Sequence, residues 1–483
     1  MSRTPVTATL LPALLLAGCN LAPTYRPPAI ATIPSSFKEA PGWRAAAPSD
    51  AIVRGEWWAL FNDPTLDALE RKVIVSNQNL AAAKAAYDQA RALVREQRAA
   101  LFPTIDASAG ATKAGSFGAG KPTVGTGTSA TTSASSQRFS LSVGATWEPD
   151  LWGQIGNAVK QAGTLAQASR SDLINATLSA QGELALDYVQ LRGLDMQKDI
   201  LTATVTAYDR SLTITNNRYN AGVVARADVL QAETALRNAR ADLADLERQR
   251  ATLEHAIAVL VGENPSGFTL PATSWQRTVP DVPAILPSEL LERRPDVAAA
   301  ERRVAAANAA IGIQRAAFFP TIGLSGDVGS STSSLGKLFS VASSVWSLGL
   351  TGALTLLDFG ARSAKVAEAR AAYEQTVAEY RQTALTAFQQ TEDQLVAVRV
   401  YGTVTQERAA AAVAANRAEA IARNQYVAGQ IGYADVIVAQ TTALSARTAD
   451  VQAVVNRQSA VISLIQAIGG RWGEAAGSAA PLH

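Results

Sequence analysis

The sequence predicts a mainly α-helical chain with a transmembrane β part, built as two copies of one unit. Three observations predict it. The stretch 153–262 recurs at 360–470, with Gly153 and Gly222 standing 69 positions apart and Gly360 and Gly429 again 69 apart. A duplication that keeps such spacing is one structural unit used twice. Four segments of about ten residues alternate apolar with small or polar side chains, the period-two signal of strands. Two runs, 154–221 and 361–428, contain no proline, and at 1.5 Å per residue each would form a helix roughly 100 Å long.

Composition limits the chemistry. The 483 residues carry a formal charge of +2, and 17% are charged. That balance makes no electrostatic case for nucleic acid. The only histidines are His255 and His483 and the only cysteine is Cys19, so a protein metal centre or a cysteine nucleophile is not expected. Arg3, the apolar run Leu10–Leu16 and Leu16-Ala17-Gly18-Cys19 read as an export signal too short to span a bilayer. The last four residues resemble a bacterial lipobox. That resemblance implies cleavage before Cys19 and diacylglycerol on its sulfur; the plain alternative is an ordinary signal peptide with an incidental cysteine. Several acyl chains on one residue make a stable anchor. In lipoproteins an Asp after the cysteine signals inner-membrane retention, so on this resemblance Asn20 leans towards the outer membrane.

Residues 20–50 are rich in Pro and Ala and read as an extended arm. Trp57 and Trp58 read as ordinary packing, followed by a short amphipathic helix from about Thr65, with Leu66, Leu69 and Val73 at helical spacing. Leu80 to Ala100 is a helix that Pro103 ends. Strands are expected at about 103–113 and 138–150, separated by a Gly/Ser/Thr-rich loop, and again at about 320–330 and 346–358. Long helices follow at about 153–221 and 360–428, and return helices at about 227–261 and 433–469. The return helices carry apolar seams spaced 7, 3, 7, 4, 3: Leu236, Leu243, Leu246, Leu253, Ile257, Leu260, and Leu444, Val451, Val454, Val461, Ile465, Ile468. Such a seam packs as a coiled coil, with Arg250 and Gln458 as its equivalent polar positions. The expected division is 1–18 signal peptide, 19–78 lipidated arm and equatorial segment, 79–262 first repeat, 263–295 Pro-rich equatorial linker, 296–470 second repeat, and 471–483 flexible tail.

Strands of about ten residues suit a tilted bilayer crossing. Four of them cannot close a watery barrel, and an open sheet in lipid leaves edge amides that each cost several kcal/mol. Three chains would supply twelve strands, an even number within the known range. Their helices would then supply a twelve-pass cylinder continuous with the barrel: a trimeric channel-tunnel with its helical part in the periplasm. Phe102, Phe139, Trp147, Trp152, Phe319, Trp346 and Phe359 lie near strand ends and are the expected membrane-interface aromatics. The alternative is a soluble β-domain, but no amphipathic element is left to cover its core.

Arg293-Arg294-Pro295-Asp296-Val297, Ala300-Glu301, Ala305-Ala306, Ile311-Gly312 and Phe319-Pro320-Thr321-Ile322 resemble the signature of TolC-like outer-membrane efflux proteins. Trp57-Trp58-x-x-Phe61-x-Asp63-Pro64-x-Leu66 and Cys19 followed by Pro23-x-Tyr25-x-x-Pro28 resemble its NodT-type lipoprotein branch of RND-type efflux systems. The resemblance spans essentially the whole mature chain. It implies the outer-membrane channel of a tripartite efflux system, a passive duct for small molecules with no enzyme activity and no cofactor beyond lipid on Cys19. Its implied partners are two sibling chains, outer-membrane lipid, a periplasmic adaptor (membrane fusion) protein and an inner-membrane RND-type pump. A type I protein-secretion duct and a non-pore coiled-coil spacer are the rival readings.

The resemblance also places the helix-to-helix turns at a periplasmic tip that gates the duct and meets the adaptor. The tip residues are Tyr219, Gly222 and Asp228 in the first copy and Tyr426, Gly429 and Asp435 in the second. Asp435 falls six residues after Gly429, as the family gate requires. Ile431 and Val438 stand where some members carry further charge. The plainer reading of both acids is that a carboxylate in the first turn suits the helix dipole. Gly222 and Gly429 suit positive-φ helix ends. Gly115-x-x-x-x-Gly120-Lys121 imitates a phosphate loop, but Pro122 stands where Ser or Thr is needed.

Overall fold

The computed structural model describes residues 20–30, 36–39, 56–115, 136–273, 275, 277–280 and 294–470. The signal peptide, Cys19, most of the first inter-strand loop, part of the linker and the tail lie outside the described residues. The chain divides into two units. One gathers 1–28, 88–167 and 302–378; the other gathers 29–87, 168–301 and 379–483.

The first unit holds the sheet. Its strands are β1 (Thr104–Ala114), β2 (Ser136–Trp147), β3 (Thr321–Thr332) and β4 (Ser344–Ala353), in the order β1-β2-β3-β4 with every pair antiparallel. The fourth strand stops at Ala353 rather than 358. Ala353 pairs Thr321, the first residue of β3, so Leu354 and Leu356 continue the alternation with no ladder partner. The second strand covers 136–147 rather than 138–150, and Pro149 follows it, a residue unable to donate to a ladder.

Register turns the alternation into two faces, because paired residues share a face. One face carries Ile105, Ala107 and Ala109; Phe139, Leu141, Val143 and Trp147; Ile322, Leu324 and Val328; and Trp346, Leu348 and Leu350. The other carries almost only Ser, Thr, Gly and Asp, with Ser108 and Ser142 hydroxyls 2.8 Å apart. Trp346, Leu348 and Leu350 are all more than 70% exposed, so among the described residues no element covers the apolar face along β4.

The second unit begins with a 3-10 turn, Trp57–Phe61, and helix α1 (Pro64–Ser76). Asp63 caps α1 by accepting from the amides of Thr65 (2.9 Å) and Leu66 (3.2 Å), with Pro64 in the first turn where its missing N–H costs nothing. Trp57 and Trp58 are buried, edge to face at 5.9 Å. In α1 Glu70 is fully buried, and neither of its oxygens has a partner among the described residues. Burial, aided by nearby Asp67, pushes its carboxyl well above the ordinary 4.5. The folded state therefore keeps a proton that the unfolded chain releases above that pH, so stability falls as pH rises from there. Glu70→Met is expected to stabilise the protein at pH 7.5 by about 1–3 kcal/mol, the cost of a buried group without a partner. The gain should shrink towards pH 4.5 in denaturant titrations.

Helix α2 spans Gln78–Ala99 and α3 Gln154–Asn220; α4 is Arg226–Leu260, α5 Pro295–Ala316, α6 Ala361–Val427 and α7 Tyr433–Ala467. Each return helix has its last carbonyl capped. Asn77 Nδ2 donates to Leu260 O at 2.8 Å, while Arg294 Nη1 donates to Ala467 O at 2.9 Å. Arg294 also forms a two-pronged pair with Asp296 (3.0 and 2.7 Å), which gives Arg294-Pro295-Asp296 a structural purpose. Helices α4 and α7 begin and end 207 positions apart, whereas their apolar seams are 208 apart. Leu236, Leu243 and Leu246 of one seam nevertheless pack in one cluster with Leu444 of the other. Arg250 and Gln458, also 208 apart, hold matching places in the two seams and do one job, holding the linker: Arg250 donates to Leu270 O (2.5 Å) and Gln458 to Thr278 O (2.9 Å).

Candidate channel surfaces and helical tip

The expected interface aromatics fall at the two ends of the sheet. Phe102, Trp147, Trp152, Phe319 and Phe359 lie where strands meet helices; Phe139 and Trp346 lie towards the opposite end. Trp147 donates to Leu101 O (3.0 Å) and Trp152 to Pro320 O (2.7 Å), while the Trp152 ring stacks on Phe319 at 4.9 Å. Indoles that pair their N–H with backbone and leave the ring outward suit a lipid–water boundary.

Cys19 is outside the described residues, but its neighbour is held. Asn20 Oδ1 accepts from Asn157 Nδ2 at 3.0 Å, and Asn157 lies five residues beyond Trp152. Asn308 Nδ2 donates to Pro23 O (2.8 Å) and Arg315 Nη1 to Leu21 O (3.3 Å). Gly312 makes room for this arm: a Cβ there would stand 2.6 Å from that of Ala22. The chain after Cys19 is thus fixed against α3 and α5 near the helix-side end of the strands.

Sequence reasoning missed two carboxylates on the polar face. Register puts Asp106, Gly144, Asp327 and Ser347 in one cross-strand row. A Cβ on Gly144 would lie 2.6 Å from Asp327 Oδ1. Strand parity would have found both, had the pairing been known.

At the tip, Gly222 (φ +71°) and Gly429 (φ +75°) end the long helices. Val223 N donates to Arg218 O (2.8 Å) and Gln430 N to Gln425 O (2.9 Å), the six-to-one bond of a Schellman turn. Asp228 and Asp435 lie in the first turns of α4 and α7, whose preceding residues, Ala225 and Gly432, offer no side-chain cap. Asp435 is exposed and Asp228 half-buried. The tyrosines are not equivalent. Tyr219 is 40% exposed, but Tyr426 is buried against Tyr433 (rings 5.3 Å apart) and under the Arg218 guanidinium (4.6 Å). Arg218 Nη1 also donates to Tyr426 O at 3.0 Å, tying the two helical turns together. Burial pushes the Tyr433 hydroxyl up to about 12.

Among the described residues no group of His, Cys, Asp and Glu is placed to hold a metal, and no helix is long and apolar enough to cross a membrane. A family model described as outer membrane efflux protein matches residues 69–263 and 286–470, taking in both repeats. Outer membrane protein OprJ of Pseudomonas aeruginosa is 30% identical over 469 residues, covering 97% of this chain and 96% of its own. The probable efflux pump outer membrane protein TtgC of Pseudomonas putida is 29% identical over 470 residues, with the same shares covered. The solved outer-membrane channel OprN is 27% identical and superposes with a TM-score of 0.85, over 94% of this chain and 100% of its own. The chain therefore belongs to the outer membrane efflux protein family.

Proposed function

We propose that three copies of this chain close one twelve-stranded pore in the outer membrane and continue it through the periplasm as a helical conduit. The duct docks on a periplasmic adaptor and an inner-membrane RND-type pump. It performs no chemistry and needs no cofactor; the pump supplies the energy, and lipid on Cys19 anchors each chain. One observation carries the reading. The sheet has an apolar face, a polar face, and two outer strands, β1 and β4, each with one edge unpaired among the described residues. In hydrocarbon those edges must pair, and a sibling chain offers the matching strand.

The tip residues gate this duct. Three Asp435 carboxylates around an axis repel one another and attract cations, while Tyr426, held by Arg218 and Tyr433, fixes the turn that carries them. Asp435→Ala is expected to raise single-channel conductance in planar bilayers. Were Asp435 only a helix-end charge, the variant would lose about 0.3–1 kcal/mol of stability and conduct as before.

A further inference from the structure

Linker residues Leu270, Pro271 and Thr278 strap three helices together. They bond Arg250 and Glu254 of α4, Arg192 of α3 and Gln458 of α7. The other side of the same three helices is a groove of about 570 Å³, within the range of small-molecule sites. Helix α3 contributes Gln190 and Gln197, α4 Gln249, and α7 Gln452 and Asn456. Leu194 and Val455 form an apolar floor, and Val455 can press close because α3 has Gly193 there; a Cβ at 193 would lie 2.4 Å from it. Among the described lining residues Arg248 is the one cation, and it pairs with Asp245 at 2.7 Å. The amides are only partly engaged with one another. Gln452 Nε2 donates to Asn456 Oδ1 at 2.9 Å and Gln197 Nε2 to Gln452 Oε1 at 3.5 Å, while the Gln190 amide has no partner among the described residues.

We propose that this groove is a solute-binding station on the inner wall of the conduit. It takes neutral amphipathic molecules that combine an aromatic or aliphatic body with amide-like hydrogen-bonding groups. The inference rests on the duct reading for its orientation: on that reading the linker passes outside the duct, and the amide-lined face turns to the lumen. Primary amides both donate and accept, so they recognise such solutes in several poses. The apolar floor receives the body without a desolvated charge opposing it. A station of this kind lets a passive duct discriminate by retention, favouring neutral solutes over ions.

The test uses the full-length protein in lipid nanodiscs and dansylamide, a neutral aromatic sulfonamide with environment-sensitive emission. Saturable binding above that of empty nanodiscs is expected. Gln197→Leu/Gln452→Leu should weaken it about tenfold, the effect of one or two lost hydrogen bonds. Asp199→Asn, on α3 but outside the groove, should leave it unchanged. Gln190→Leu, at an exposed position, provides a second reading should the double variant fold poorly, and is also expected to weaken binding. Equal affinity in the wild type and a folded groove variant, or no binding beyond empty nanodiscs, overturns the proposal. Pore current measured separately keeps the two ideas apart: a conducting channel that ignores dansylamide rejects the station alone, and a binding protein that never conducts rejects the duct.

Discussion

Asp195→Ala is expected to cost about 3–5 kcal/mol of stability, the penalty for breaking a buried ion pair by removing one partner. Asp195 holds two guanidiniums, Arg192 at 3.0 Å and Arg250 at 2.6 Å. Arg192 is fully buried, lies over the Tyr188 ring at 4.8 Å and donates to Pro271 O at 2.8 Å. Two of its nitrogens already lack partners among the described residues, so losing Asp195 strands a charge that water cannot reach. The effect should spread, because Tyr188 donates to the α1 cap Asp63 at 2.6 Å and Arg250 holds the strap at Leu270. Asp195→Asn, keeping one acceptor, should cost less. Unfolding followed by circular dichroism in denaturant measures both; a loss below about 1 kcal/mol for the alanine variant would show that the charges find other partners.

A second large effect separates the two faces of the sheet. Leu348 sits mid-strand on the apolar face with 79% of its surface exposed, and Ser347 beside it points to the polar face. Leu348→Arg is expected to destabilise the membrane-inserted protein by about 2–4 kcal/mol, as a charge on the lipid side of a barrel does near mid-depth. Ser347→Arg should be tolerated and alter conductance instead. Folding yield into lipid vesicles reads the first and planar-bilayer current the second. Equal penalties at the two neighbours would mean that the faces are wrongly assigned.

Much of this architecture is legible in residue order. Period-two alternation found the four strands because a pleat sends neighbours to opposite faces, and the glycines at 222 and 429 announced their turns because few other residues adopt positive φ cheaply. Strand ends were less legible: β4 stops at Ala353 because its partner begins at Thr321, a fact of pairing rather than composition. Of the tip, the residues were readable and their inequality was not. Tyr219 and Tyr426 occupy matching places in the repeat, yet only Tyr426 is covered, because Arg218 in one copy is Gln425 in the other. Asp106 and Asp327 are far apart in the chain and meet in one row only through the sheet.

The unpaired edges of β1 and β4 imply sibling chains, and particle mass tests that implication directly. Native mass spectrometry of the detergent-extracted, lipidated protein is expected to find particles of three chains. Particles of one chain, stable and folded in detergent with all four strands intact, would contradict a pore assembled from shared strands.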